Sequence, residues 1–534
     1  MKKALFYLLF LLAIKLFAAN NNTSYLKNIN IEQWEVYDFV FVAKPTMKNP
    51  FIVDFNAIFT NEKGEQLTLP GFYNGDNMWV VRFSSSKTGQ WKYETKSKIK
   101  KLNNKKGTFF VAPITNKNKH GGIVVKPENP QHFYYEDGTP YMQMAYECDW
   151  LFALDYKNKK DAPNTKALLD DLEKNKFNQI VTTVYSFGAK WKRDPKLKDY
   201  PEYDYSDDLS IYPFLGTNKN PDFSLLNIDY FKQMDRSIAM MNDRNISLHL
   251  MIYVWNKLVT WPDANTEADN MFFDYIIKRY QAYPNVVWDV AKEAYERKRC
   301  SPKYILERIK RIRKLDVYKR LLTVHEYDFC IKNPESVDII SAQNWSATIY
   351  HDMLKVREAF PNKPIFNIEH GGYAESPFEV FPGDYISPEI CLRRNYLINF
   401  SGTYSTYYWQ GTSWYVMIPD ANNMPNNLLK PKYEYYKHFV SFFEKYPFQD
   451  FSPDTKSNNS GYTLTNNKGV FLMYLPKYNY QASINWQSPF FAKTGTYQWY
   501  NTLTGAYSKV FQFKGGHFKN PWYNKADAIL IRKH

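Results

Sequence analysis

Two glutamates stand where an alternating strand–helix chain would deliver them to a substrate. Asn285-Val-Val-Trp-Asp-Val-Ala-Lys-Glu293 and Pro364-Ile-Phe-Asn-Ile-Glu369-His-Gly-Gly are short apolar runs of strand type, each ending in glutamate and then breaking into loop. In a strand–helix barrel the C-terminal strand ends are where side chains converge. Cleaving a glycosidic bond needs a proton for the leaving oxygen and a partner for the oxocarbenium-like centre. Two carboxyl groups roughly 5–5.5 Å apart supply both, with retention of configuration. The expected roles are Glu293 as general acid/base and Glu369 as nucleophile. For either glutamate taken alone, a surface or ion-paired carboxylate is the alternative.

Further polar and aromatic residues fall at the other strand ends. Glu147, Asp149 and Trp150, in Tyr146-Glu-Cys-Asp-Trp150, follow the first strand; the carboxylates either grip sugar hydroxyls or pair within the barrel floor. His325 and Glu326 end the fifth strand, with His325 read as a hydrogen-bonding partner of substrate or nucleophile, or as a satisfied core histidine. Gln343, Asn344 and Trp345 end the sixth, His370 follows Glu369, and Tyr185 ends the second. Trp255, Trp261, Trp409 and Trp414 are candidate platforms for the apolar faces of pyranoses, with core packing as the alternative for each. Lys292 stands beside Glu293, where it either donates to a sugar hydroxyl or pairs with a substrate carboxylate. No H-x-H, H-E-x-x-H, G-x-S-x-G or phosphate-cradling glycine loop occurs, so neither a metal nor a cofactor is expected.

The elements that must position these residues are legible as periodicity. From about residue 20 to 118, period-two runs such as Val53, Phe55, Ala57 and Phe59 are broken by turn signals, which argues a small β-sandwich. From 119 to 447, strand-like runs at 141–146, 179–185, 247–254, 286–290, 321–325, 338–343, 365–368 and 403–408 alternate with amphipathic stretches. Phe231, Met234, Ile238 and Met241 form one helical stripe; Met353, Val356 and Phe360 a second; Tyr436, Phe439, Val440 and Phe443 a third, stopped by Pro447. Eight such pairs predict a (β/α)8 barrel. Its weakest step is the fifth crossover, where 331–336 is short for a helix. Residues 448–534 return to β texture and predict a second sandwich. The expected fold is thus a TIM barrel between two small all-β sandwich domains.

Met1-Lys-Lys-Ala, the apolar run that begins at Leu5, and Leu16-Phe-Ala-Ala19 read as a signal peptide over 1–19 and hence as export. Across 534 residues the net charge is +15. Because the lysines are spread along the chain, a solvated surface explains that charge better than a nucleic-acid partner. The four cysteines, Cys148, Cys300, Cys330 and Cys391, are scattered and leave pairing undetermined.

With these motifs in place, the chain resembles the large clan of retaining glycoside hydrolases whose barrels carry catalytic glutamates on strands 4 and 7. More narrowly it resembles the apiosidase-like barrels of polysaccharide-degrading bacteria. In relatives of that group a sandwich of unassigned function precedes the barrel and a small collagen-binding-like sandwich follows it. The resemblance covers nearly the whole mature chain and implies Glu293 as acid/base and Glu369 as nucleophile. One departure stands out: the clan usually has Asn before the acid/base, bonding the sugar 2-hydroxyl, and Lys292 occupies that place here. The resulting expectation is a secreted retaining glycoside hydrolase acting on a plant, algal or other complex polysaccharide or its oligosaccharides. Its partner would be carbohydrate, with no nucleic acid and no stable membrane insertion, and its oligomeric state is not specified. The alternatives are a barrel that binds carbohydrate without cleaving it, and an adhesin using the C-terminal sandwich.

Overall fold

The structure, a computed structural model, describes residues 29–156, 160–205, 211–295, 300–371, 387–409, 411–466, 468–491 and 493–534. Residues 1–19, read from the sequence as a signal peptide, lie outside the described residues. The chain divides into two compact units, Met1–Thr115 and Asn116–His534.

In the first unit a five-stranded sheet (Asn30–Glu32, Lys106–Ala112, Gly89–Ser97, Phe55–Asn61 and Gln66–Pro70, in spatial order) faces a three-stranded sheet (Tyr37–Val42, Met78–Phe83 and Phe72–Tyr73). Phe39 and Phe83 on the smaller sheet meet Phe59, Tyr93 and Phe109 on the larger. The alternation seen in the sequence therefore becomes an aromatic sandwich core.

The second unit opens with a hairpin, Ile123–Lys126 with Asn129–Tyr135, that the sequence analysis does not anticipate. Eight parallel strands follow: β1 (Ala145–Glu147), β2 (Gln179–Thr183), β3 (Ser247–Val254), β4 (Val286–Lys292), β5 (Leu322–His325), β6 (Ile340–Gln343), β7 (Ile365–Glu369) and β8 (Tyr404–Tyr408). They pair in the order β5-β4-β3-β2-β1-β8-β7-β6. Among the described residues, eight helices complete the units: α1 (Pro163–Lys174), α2 (Ile228–Asp243), α3 (Glu267–Tyr280), α4 (Pro302–Leu315), α5 (Tyr327–Lys332), α6 (Ile349–Ala359), α7 (Pro388–Phe400) and α8 (Tyr433–Lys445).

Local chemistry explains the helix starts. Ser301 caps α4 by accepting the Tyr304 N–H, with Pro302 at the first helical position. The Phe231-Met234-Ile238-Met241 stripe is fully buried on α2 and the Tyr436-Phe439-Val440-Phe443 stripe is buried on α8. Of the second stripe only Met353 is fully buried. The short fifth crossover is α5 followed by a single 3-10 turn, Pro334–Ser336.

Barrel closure between β5 and β6 does not use a ladder. The Leu322 carbonyl accepts the Asp338 N–H at 2.8 Å, and Asp338 Oδ2 accepts the Leu322 N–H at 2.8 Å. Thr323 Oγ1 donates to the Ile339 carbonyl.

Both glutamate-bearing strands carry one extra residue relative to a neighbour. Between β4 and β5 the register runs from Asp289 opposite Thr323 to Lys292 opposite His325. Between β6 and β7 it runs from Ala342 opposite Asn367 to Gln343 opposite Glu369. Asp289 produces the first shift: its Oδ1 accepts the Ala291 and His325 N–H groups, and its Oδ2 binds His249 at 2.8 Å. An extra residue re-aims the side chains that follow it.

The C-terminal sheet orders Ser452–Pro453, Tyr462–Thr465, Val470–Leu475, Ala528–Lys533, Gly495–Asn501 and Phe511–Phe513, beside the pair Gln481–Ser483 and His517–Lys519. Phe471, Met473, Trp499, Phe518 and Leu530 form its core. All four cysteines are buried free thiols. Among the described residues no helix is long and apolar enough to cross a membrane.

Candidate active site

At the C-terminal end of the barrel, the extra residue in β4 turns Lys292 onto the strand-end carboxylates. Its Nζ lies 2.5 Å from Glu147 Oε1, 3.2 Å from Asp149 Oδ2 and 2.7 Å from Glu369 Oε1. The Tyr408 ring centroid is 5.1 Å away. Glu293, the next residue, has φ +48°, a left-handed conformation uncommon for a side-chain-bearing residue outside functional sites. Its N–H donates to the His325 carbonyl at 2.8 Å, which fixes the turn.

Gln343 joins the two glutamates. Its Nε2 lies 3.4 Å from Glu293 Oε1 and 3.0 Å from Glu369 Oε2. Those two oxygens therefore cannot be farther apart than the two contacts laid end to end. Glu369 is buried, whereas Glu293 is half-buried. His325 Nε2 lies 3.7 Å from Glu369 Oε1.

The surroundings sort the acids of this cluster. Burial pushes the Glu147 carboxyl well above its ordinary range, against Lys292 and with help from the Glu369 and Asp149 charges. Asp149 is also fully buried, but Lys292, Lys257 and the Trp414 N–H at 3.1 Å outweigh the desolvation and hold it low. His325 is lowered to about 4, by burial first and then by Lys292. The surroundings thus favour the protonated form at Glu147, the carboxylate at Asp149 and the neutral ring at His325.

Glu147, His325 and Glu369 each offer a ligand atom, all within 4.8 Å of one another. The Lys292 ammonium already touches the two glutamates, and it supplies there the positive charge that a metal ion would bring.

The remaining candidates divide by position. Glu147, Asp149, Lys292, Glu293, His325, Gln343 and Glu369 form one contiguous cluster, with Trp414 bonded to its edge. Trp150 is buried behind it. Tyr185 lies edge-on to Tyr212 and Trp261 and lines, with Asp149, Ser186 and Tyr205, a recess of about 280 Å³ including its open mouth. Trp261 packs against Tyr253 and Phe272 and is core. Trp409 donates to the Leu429 carbonyl at 3.3 Å, and Trp255 lies against Tyr253. Trp255, Trp409 and Trp414 are all buried and form walls of the barrel end. Trp345 is buried beyond β6.

His370 bonds the Thr406 carbonyl of β8 at 2.7 Å, and burial followed by the Arg394 charge lowers it to about 3. Glu326 accepts the Tyr295 N–H at 3.2 Å and is raised by burial, with the Glu293 charge adding to the shift.

Lys257 is a site residue that the sequence analysis missed. It is buried, with its ammonium 4.8 Å from the Trp414 ring centroid and 5.4 Å from that of Trp191. Burial and the Lys292 charge lower its pKa, while Asp149, Glu293 and Glu369 oppose that shift. Its only sequence signal is its place two residues beyond Trp255, just past the end of β3.

A parallel (β/α)8 barrel with carboxyl groups gathered at its C-terminal end is the architecture of a glycoside hydrolase. Residues 127–450, well over half the chain, match the family described as apiosidase-like, catalytic domain. The chain belongs to that family and is a glycoside hydrolase. Residues 30–98 match a domain of unknown function, DUF5060.

Among solved structures, a candidate glycoside hydrolase of Bacteroides vulgatus ATCC 8482 superposes over 95% of this chain and 100% of its own, with TM-score 0.76 and 20% identity. A family 5 glycoside hydrolase from the same organism covers 78% of this chain and 94% of its own, with TM-score 0.56 and 15% identity. At these identities the likeness is one of fold. No curated protein matches the chain.

Proposed function

We propose that the chain is an exported retaining glycoside hydrolase of complex polysaccharides or their oligosaccharides, working by double displacement. Glu369 attacks the anomeric carbon while the glycosidic C–O bond breaks. The departing oxygen keeps the bonding electron pair and takes the Glu293 proton. Glu293 then draws a proton from water, whose oxygen displaces Glu369 and releases the sugar with its configuration retained.

The observation that carries this reading is the Gln343 amide touching both glutamates. Its contacts of 3.4 and 3.0 Å bring one oxygen of each carboxyl to a shared donor, and a close pair of carboxyls is what a retaining enzyme uses. Lys292 and Gln343 hold the two oxygens of Glu369 and so fix its orientation for attack, as a nucleophile requires. The half-buried Glu293 stands nearer to solvent, which suits a residue that must serve both a leaving group and a water. Export rests on the basic and apolar N-terminal segment.

The test is hydrolysis across pectic, algal and host-type glycans, with the first-released anomer read by NMR. Glu369→Gln is expected to lower turnover by several orders of magnitude with the thermal unfolding midpoint retained. Near-wild-type turnover in that variant, or an inverted product, defeats the proposal.

A further inference from the structure

An exposed group of aromatic rings on the C-terminal sandwich has no part in the core beneath it. Tyr478, Tyr480 and Tyr523 are 73%, 51% and 38% exposed, values far from those of packing residues. They come from two segments, 476–481 and 517–525, that are fastened together. The Tyr478 N–H donates to the Tyr523 carbonyl, the Asn520 N–H donates to the Tyr480 carbonyl at 2.8 Å, and Gln481 pairs with Lys519 across the short two-stranded sheet. Tyr480 and Tyr523 meet edge to face at 5.6 Å. The backbone that carries the rings is thus fixed, while the rings themselves stay exposed.

The charge around the rings is of one sign. The two segments contain Lys477, Lys519 and Lys525 and no Asp or Glu. Lys477 and Lys519 lie over the Tyr478 and Tyr480 rings, 5.5 and 5.3 Å from the centroids. Among the described residues neither pairs with a carboxylate.

This patch is linked to α7, the helix that follows β7. The Lys477 N–H donates to Asp527 Oδ1 at 2.6 Å, and Asp527 receives a two-pronged pair from Arg393 of α7 at 3.0 and 2.8 Å. The next residue, Arg394, donates to the carbonyls of His370 and Ser346, just past the ends of β7 and β6. A chain of direct contacts therefore runs from the strand ends that carry Glu369 and Gln343 to the tyrosine patch.

We propose that Tyr478, Tyr480 and Tyr523, with Lys477 and Lys519, form a second carbohydrate site that holds an acidic polysaccharide chain near the catalytic mouth. The inference rests on the proposed polysaccharide substrate. Open tyrosine faces match the C–H faces of pyranoses, their hydroxyls and the neighbouring amides match ring hydroxyls, and the lysines match carboxylate or sulfate groups. A fixed backbone beneath the rings lowers the ordering cost of binding.

The test is affinity electrophoresis of the full chain carrying Glu369→Gln, in gels containing polygalacturonate, alginate or neutral hydroxyethylcellulose. The same chain with Tyr478→Ala and Tyr480→Ala added runs alongside. The expected result is retardation in one or both acidic gels, weakened roughly tenfold in Kd by the two alanines, with the unfolding midpoint unchanged because both side chains are exposed.

Equal retardation of the two proteins, no retardation in either acidic gel, or equal retardation in the neutral gel overturns the inference. Binding to immobilised gelatin that the same substitutions abolish would assign the patch to a protein partner and overturn it as well. Both proteins share the Glu369 substitution, so residual cleavage would defeat the catalytic assignment without affecting this comparison.

Discussion

Lys292 stands beside Glu293, and its surroundings explain how a cation is tolerated there. The ammonium is buried among the carboxyl groups of Glu147, Asp149 and Glu369. Burial pushes the Glu147 carboxyl toward its protonated form, which the lysine charge opposes. Removing one partner of a buried pair leaves the other charge uncompensated and costs about 3–5 kcal/mol. Lys292→Met is therefore expected to destabilise the chain by about that amount in chemical denaturation and to lower turnover by orders of magnitude through a misplaced Glu369. A loss under about 1 kcal/mol would mean that the carboxyls do not depend on the lysine. Glu147→Gln tests the protonation state at the same place. An amide is close in shape to the protonated carboxyl, so the variant should keep most of its stability near neutral pH, measured by thermal unfolding.

At the scale of elements, the barrel meets itself through side chains at the β5–β6 seam. Asp338 binds the Leu322 N–H and also Arg313 at 2.8 Å. Asp338→Ala leaves that N–H without its acceptor and should cost about 1–3 kcal/mol. The measurement is urea unfolding, with amide exchange at Leu322 expected to accelerate. Unchanged stability would show that the seam is held by packing alone. The same strands show where periodicity reaches its limit. The sequence expects β3 at 247–254, and the structure has Ser247–Val254, because a buried parallel strand is a continuous apolar run bounded by turns. The extra residues in β4 and β7 left no such mark. Strict alternation from Asp289 would aim Ala291 and Glu293 at the barrel axis, and only the three bonds to the Asp289 carboxylate reveal why Lys292 is there instead.

For the whole molecule, three of the four buried histidines contribute to the response to acid. His132, His325 and His370 are lowered to about 3, 4 and 3, each chiefly by burial. The unfolded chain protonates them near 6.5, so between that pH and the folded values the unfolded state binds more protons and stability rises with pH. Their contribution is intact above pH 6.5 and is lost on acidification, with His325 alone worth about 3 kcal/mol by pH 4. Glu147 acts in the opposite direction. Its raised folded pKa means that folding takes up a proton, so its contribution is complete below about pH 4.5 and fades as pH rises. The unfolding midpoint should therefore climb steeply from pH 4 to 6.5 and then level or decline. Asp171, Asp316 and Glu326, also raised by burial, act in the same sense, so Glu147→Gln should lessen the decline and keep the climb. A midpoint flat from pH 4 to 6.5 would contradict the burial of the histidines.

The sequence by itself determined the strand–helix alternation, the β texture on either side of it, and the placing of Glu293 and Glu369 at the ends of β4 and β7. These features are local, since spacing along one segment fixes which face is apolar and where a strand stops. What surrounds those glutamates was decided only in three dimensions. The Lys292 contacts join β1, β4 and β7, the Gln343 bridge joins β6 to both acids, and Lys257 enters from the loop after β3. Each depends on distances between segments far apart in the chain. The tryptophans show the same limit: sequence reads a large amphipathic ring either as a sugar platform or as core, and burial against distant neighbours made Trp261 core and Trp409 and Trp414 walls.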